Sequence, residues 1–122
     1  MKILVVEDDE VARELMRMTL ERQGYGVTAA EDGIAGYELA VSERPDLIIT
    51  DIRMPSADGA HLVRRVRDTE GIAATPILVT TAYGTGDATF TLTQGADAYE
   101  PKPVDPASLL ATVRRLLGRA KV

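Results

Sequence analysis

Short apolar runs alternate along the chain with amphipathic stretches. Ile3-Leu4-Val5-Val6, Leu47-Ile48-Ile49-Thr50 and Ile77-Leu78-Val79-Thr80 are nearly unbroken and rich in β-branched residues. That is the pattern of strands covered on both faces in a parallel sheet. Gly26-Val27-Thr28-Ala29-Ala30 and the weaker Ala98-Tyr99 complete a set of five. Between them, Val11, Ala12, Leu15 and Met18 recur at helical spacing, with Gly24 available to end that helix. Ile34, Tyr37 and Val41 mark a second helix that stops before Pro45, and Leu62, Val63 and Val66 a third. Leu109, Leu110, Val113, Leu116 and Leu117 form the clearest stripe, behind Asp105 at the N-cap and Pro106 at the first helical position. Residues 86–94 are the weakest helix candidate, because Thr89, Thr91 and Thr93 lose rotamer freedom in a helix. Five strands alternating with five helices predict an α/β fold. The expected architecture is an open five-stranded parallel sheet, order 2-1-3-4-5, with helices on both faces.

Ligands on such sheets bind beyond the carboxyl ends of the strands. The first strand runs into Glu7-Asp8-Asp9, the third into Asp51 and the fourth into Thr80-Thr81, while Lys102-Pro103 follows the fifth. Two carboxylates 4 Å apart repel by about 4 kcal/mol at an effective dielectric near 20. Clustered acids therefore raise a pKa or recruit a cation. With oxygen ligands alone on offer, a hard ion is favoured, and Mg2+ fits best. A carboxylate can attack a phosphoryl group to form an acyl phosphate, with a metal and an ammonium neutralising the transferring charge. Taken singly, each residue has a plainer role. An acidic doublet after a strand is a turn or a helix cap, a strand-end Thr is a good β-former, and Lys102 is a surface charge. Their joint placement at four strand ends is what points to chemistry. Spacing alone leaves Asp8 and Asp9 equivalent. His61, on the third helix, reads as surface, and Met16, Met18 and Tyr37 read as core filler or helix surface.

Composition narrows the picture further. A chain of 122 residues with 45% hydrophobic content suits one domain over residues 1–122. With no Trp and one Phe, its core must be aliphatic. The absence of Cys excludes disulfide and thiolate chemistry and agrees with a cytoplasmic location. No apolar run approaches the roughly 20 residues of a membrane span. A net charge of −5 speaks against direct nucleic-acid binding.

Several segments act together. They are Ile3 to Asp9, the stretch Pro45-Asp46-Leu47-Ile48-Ile49-Thr50-Asp51-Ile52-Arg53-Met54-Pro55 with Asp58-Gly59 beyond it, Thr81-Ala82-Tyr83, Gly95-Ala96-Asp97-Ala98-Tyr99, and Lys102-Pro103. In order and spacing the chain resembles the response-regulator receiver family of two-component signal transduction systems, over essentially its whole length. The resemblance implies a flavodoxin-like receiver fold and a phosphoryl group accepted on Asp51 from a phosphohistidine donor. Asp8 would ligate Mg2+ directly and Glu7 through water, with Asp51 and the backbone carbonyl of Arg53 as further ligands. Thr81 would be the switch hydroxyl, Lys102 the cation at the site, and Tyr99 the switch aromatic. The Lys102-Pro103 bond would be cis. The implied partners are a sensor histidine kinase or histidine phosphotransferase, and an output domain or target protein. Output would be read through the surface of the fourth helix, fifth strand and fifth helix. The implied role is that of a signalling phosphoprotein, with no turnover of an independent substrate. Two departures concern that output surface. The segment from Thr81 to Gly95 is about one residue shorter than the family pattern, with Gly84 and Gly86 in it, and Pro101 precedes Lys102.

Other chemistries fit less well. A haloacid dehalogenase-type phosphatase also uses a strand-end Asp, but needs a second acid where this chain has Arg53. A flavin or nucleotide module needs a small-residue phosphate loop after the first strand, where this chain places Glu7-Asp8-Asp9. A receiver-shaped module that is never phosphorylated has no use for the intact set of acids, Thr81 and Lys102.

Overall fold

A computed structural model describes residues 1–52, 59–81 and 95–120. In chain order the elements are β1 (Lys2–Val6), α1 (Glu10–Glu21), β2 (Gly26–Ala30), α2 (Gly33–Glu43), β3 (Leu47–Asp51), α3 (Gly59–Arg67), β4 (Ile77–Thr81), β5 (Ala98–Pro101) and α4 (Pro106–Ala120). All neighbouring strands are parallel, in the order β2-β1-β3-β4-β5. The helix expected over 86–94 and the carbonyl of Arg53 lie outside the described residues; α4 is the helix expected as the fifth.

Alternate residues of each strand feed two cores. Leu4, Val6, Ile48 and Val79 pack with Ala40 of α2 and with Leu62, Val63 and Val66 of α3. Ile3, Val5, Ile49 and Leu78 pack with Met16 and Leu20 of α1 and with Leu109, Val113 and Leu116 of α4. The inward stripes of α3 and α4 are those expected from periodicity. Asp105 accepts the Ser108 amide at 2.9 Å, as an N-cap should.

In α1 and α2 the expected faces are mostly wrong, although Tyr37 packs against the core. Val11, Leu15 and Met18 are exposed, and Met16 and Leu20 are buried instead. Spacing gives a helix its period but not its phase. The connection from β1 to α1 is only residues 7–9, and the Asp9 cap, taking the Ala12 amide at 2.9 Å, sets the rotation. In α2, Ile34 and Val41 face outward, while Gly33, Gly36 and Ala40 are buried. This helix lies so close to β1 that a Cβ on Gly36 would stand 2.7 Å from Val6 Cγ2. A close approach buries small residues, so the large ones mark the wrong side. No described helix is long and apolar enough to cross a membrane.

Candidate functional site

The carboxyl ends of β1 and β3 and the loop after β5 converge on one rim. Glu7 is the first residue past β1; its amide donates to Ala30 O at 3.0 Å, which continues the β1–β2 ladder and leaves the side chain wholly buried. Its Oε1 accepts from Lys102 Nζ at 2.6 Å and its Oε2 from the Asp9 amide at 3.2 Å. Asp51 ends β3 and is also buried; its Oδ2 accepts from the same Lys102 Nζ at 3.0 Å. Asp8 is exposed, and carboxylate oxygens of Glu7, Asp8 and Asp51 all lie within 4.8 Å of one another. Asp9 caps α1 instead. The two aspartates that spacing could not separate thus occupy different places.

Burial pushes the Glu7 carboxyl above its ordinary range, and the Asp51 charge adds to the rise; the bonds from Lys102 and from the Asp9 amide oppose it. Burial works against the Lys102 ammonium, but Glu7 and Asp51 outweigh it and raise its pKa above the ordinary value. With all acids ionised, three carboxylates face one ammonium. The surplus is negative, the donors are all oxygen, and two of the three acids are buried, a setting suited to a hard cation.

Thr81 closes β4 and is buried, and its carbonyl accepts the Lys102 amide at 2.7 Å. Tyr99, on β5, is 40% exposed. The Lys102-Pro103 bond is cis. His61 is exposed on α3. Three features went unnoticed in the sequence. Arg13 Nη1 donates to Glu7 O at 2.8 Å, anchoring the acidic turn to α1. The start of α3 closes onto the backbone of Asp51: the Gly59 amide donates to Ile52 O at 2.7 Å. A Cβ on Gly59 would overlap the Asp51 carbonyl oxygen and sit 2.9 Å from Ile52 Cα. The third is Glu100, buried on β5; its even spacing from Ala98 was the available signal.

Fold and site together define an open α/β domain with an acidic cluster at the carboxyl ends of its parallel strands. Vibrio cholerae chemotaxis protein CheY4 superposes with a TM-score of 0.89 at 34% identity, covering 94% of this chain and 97% of that one. The receiver domain of a Pseudomonas aeruginosa sensor histidine kinase, solved with magnesium coordinated in its active-site cleft, gives a TM-score of 0.90 at 35% identity, covering 96% and 97%. Residues 3–114 match the response regulator receiver domain model, and the chain belongs to that family. Among curated relatives, the transcriptional regulatory protein CseB of Streptomyces coelicolor is 41% identical over 118 residues, 96% of this chain and 49% of that protein. Response regulator MprA of Mycobacterium avium is 42% identical over 122 residues, 99% of this chain and 53% of that protein. The chain thus spans about half the length of these curated relatives.

Proposed function

We propose that this domain, taken as residues 1–122, receives a phosphoryl group on Asp51 from the phosphohistidine of a sensor kinase or phosphotransferase and passes the signal to an output domain or target protein. The observation that carries this reading is the shared amine: Lys102 bridges the two buried acids, Glu7 and Asp51, beside the exposed Asp8. Lys102 holds Asp51 Oδ2, which leaves Oδ1 to attack phosphorus. The new O–P bond forms as the P–N bond breaks, and the electron pair leaves with the imidazole. Asp8 and Asp51, with Glu7 through water and the Arg53 carbonyl, would hold magnesium, which when bound supplies charge neutralisation for the transferring group. Lys102 adds its ammonium to that neutralisation and the Thr81 hydroxyl binds a phosphoryl oxygen.

The signal leaves as Thr81 moves toward the phosphoryl group and the exposed ring of Tyr99 turns into the space behind β4, altering the surface that carries β5 and α4. Such a shift is driven only by the differential affinity of the phosphoryl group for the two states. Beside the site, an apolar groove of about 280 Å³, lined by Leu15, Met16, Val104 and Leu109, reaches Glu7 and Lys102 and gives the donor protein a surface to dock on. This reading makes the protein a cytoplasmic signalling phosphoprotein without an independent substrate. Incubation with acetyl phosphate and magnesium should add one phosphoryl group by intact mass, and none in Asp51→Ala. Equal labelling of that variant would overturn the assignment.

A further inference from the structure

The strands carry a row of polar residues on the face covered by α1 and α4. Val5, Ile49, Leu78 and Ala98 form an apolar layer on that face. Two residues further along each strand, pointing the same way, stand Glu7, Asp51, Thr80 and Glu100. Asp51 is the register partner of Thr80, and Thr80 of Glu100. Glu7 and Asp51 belong to the site already described. The outer two do not, and both are buried. Thr80 Oγ1 has no hydrogen-bond partner among the described residues, and Glu100 is 6% exposed.

Among the described residues Glu100 is held by hydroxyls alone. Ser108 Oγ lies 2.7 Å from Oε1 and 3.1 Å from Oε2, and Thr112 Oγ1 donates to Oε1 at 3.1 Å. Among the described residues no cation pairs with it. Burying a carboxylate this way is costly beside an apolar side chain of similar size, so it is a poor choice if its task is only to fill space. Leu109 and Val113 already fill that face. What Glu100 does is close a loop. It sits near the end of β5, its partners sit in the first two turns of α4, and Lys102 lies between. The loop has two other ties, the Lys102 amide on Thr81 O and the Lys102 ammonium on Glu7 and Asp51.

We propose that Glu100 is a positioning residue for Lys102: its clamp on Ser108 and Thr112 fixes the loop that delivers the ammonium between Glu7 and Asp51. The kinetic consequence rests on the phosphoacceptor reading above; the geometric one does not. Glu100→Leu replaces a buried carboxyl group with an apolar side chain of similar size, so its melting temperature should equal or exceed that of the wild type. Its labelling by acetyl phosphate at saturating magnesium should still slow by roughly ten- to a hundredfold, the scale set by a small misplacement of a reacting group. Glu100→Gln keeps an acceptor oxygen and should restore most of the rate. The Lys102 Nζ resonance, followed in 15N-labelled protein, should shift in Glu100→Leu toward that of a solvated amine. In a Lys102→Met background, Glu100→Leu should slow labelling no further. If Glu100→Leu does not fold, Ser108→Ala, which removes one clamp donor, is read in the same way. Wild-type labelling with an unmoved Lys102 resonance would overturn the proposal, as would an equal loss of rate in the Lys102→Met background. If the wild type itself takes no label, the phosphoacceptor reading falls, and the Lys102 resonance alone decides this one.

Discussion

At the amino-terminal edge of the sheet, Arg67 ends α3 and ties together everything near it. Its Nε donates to Gly95 O at 2.9 Å, its Nη1 to Ala73 O at 3.0 Å and Thr75 O at 2.6 Å, and its Nη2 to Asp97 Oδ2 at 2.8 Å. Asp97 in turn accepts the Ile77 amide and donates its own amide to Ile77 O, starting the β4–β5 ladder. At the carboxyl-terminal edge, Lys102 meets two buried carboxylates with a third close by. One cation with one carboxylate and three carbonyls is balanced, and holds shape. One cation with three carboxylates is not, and such a cluster gains from any positive charge that arrives. The contrast teaches that surplus charge of one sign, rather than the presence of ion pairs, is what sets the carboxyl-terminal rim apart from a balanced, structural one.

Substitutions can sharpen that contrast, beginning with the largest effect. Lys102→Met should cut labelling of Asp51 by at least about a hundredfold, since it removes the cation nearest the transferring group. Arg67→Ala should do the reverse: a loss of about 2–3 kcal/mol in denaturant unfolding, discounted for the partial exposure of the pair, with labelling nearly unchanged. If both variants lose labelling equally at matched stability, the two rims do not differ as argued. Saturation with magnesium at a hundredfold over Kd should stabilise the wild type by about 2.7 kcal/mol. Asp8→Asn should abolish most of that response and raise metal-free stability by up to about 1 kcal/mol. Gly59→Ala should cost about 1–3 kcal/mol through overpacking against the Asp51 backbone and slow labelling as well.

The smallest effects are those of pH in metal-free protein. The folded state raises the Glu7 pKa above its ordinary value of 4.5, so the stabilising contribution of this group is present below that pH and is lost as pH rises through the raised value. Glu7→Gln should flatten that part of the stability curve, as thermal melts across the acidic range would show. Lys102 is also raised, above 10.5; its contribution persists below that value and disappears as alkaline pH passes the raised one. Lys102→Met should remove the alkaline fall.

Much of this could be read from the chain. The strands were legible because continuous β-branched runs have one good home, a sheet covered on both faces. The last helix was legible because its apolar stripe and its Asp105-Pro106 start agree. The inward faces of α1 and α2 were not. A stripe of large residues looks like a core face, yet Gly36 is buried because β1 passes too close for a side chain. Among the site residues, the convergence of Glu7, Asp8, Asp51 and Lys102 followed from strand order. Spacing left Asp8 and Asp9 equivalent and the resemblance chose Asp8; that Asp9 is taken up as the α1 cap needed the geometry, and the Glu100 clamp needed the packing of α4 on β5.

That cap has a practical consequence. The Asp9 amide rests on Glu7 Oε2, and the Asp9 side chain holds the Ala12 amide. Any redistribution of charge on Glu7 is therefore felt one hydrogen bond away, at the start of a helix facing solvent. The amide resonances of Asp9 and Ala12 should move together when a divalent ion binds. They form a built-in spectroscopic reporter of occupancy that requires no dye and no substitution at the site itself.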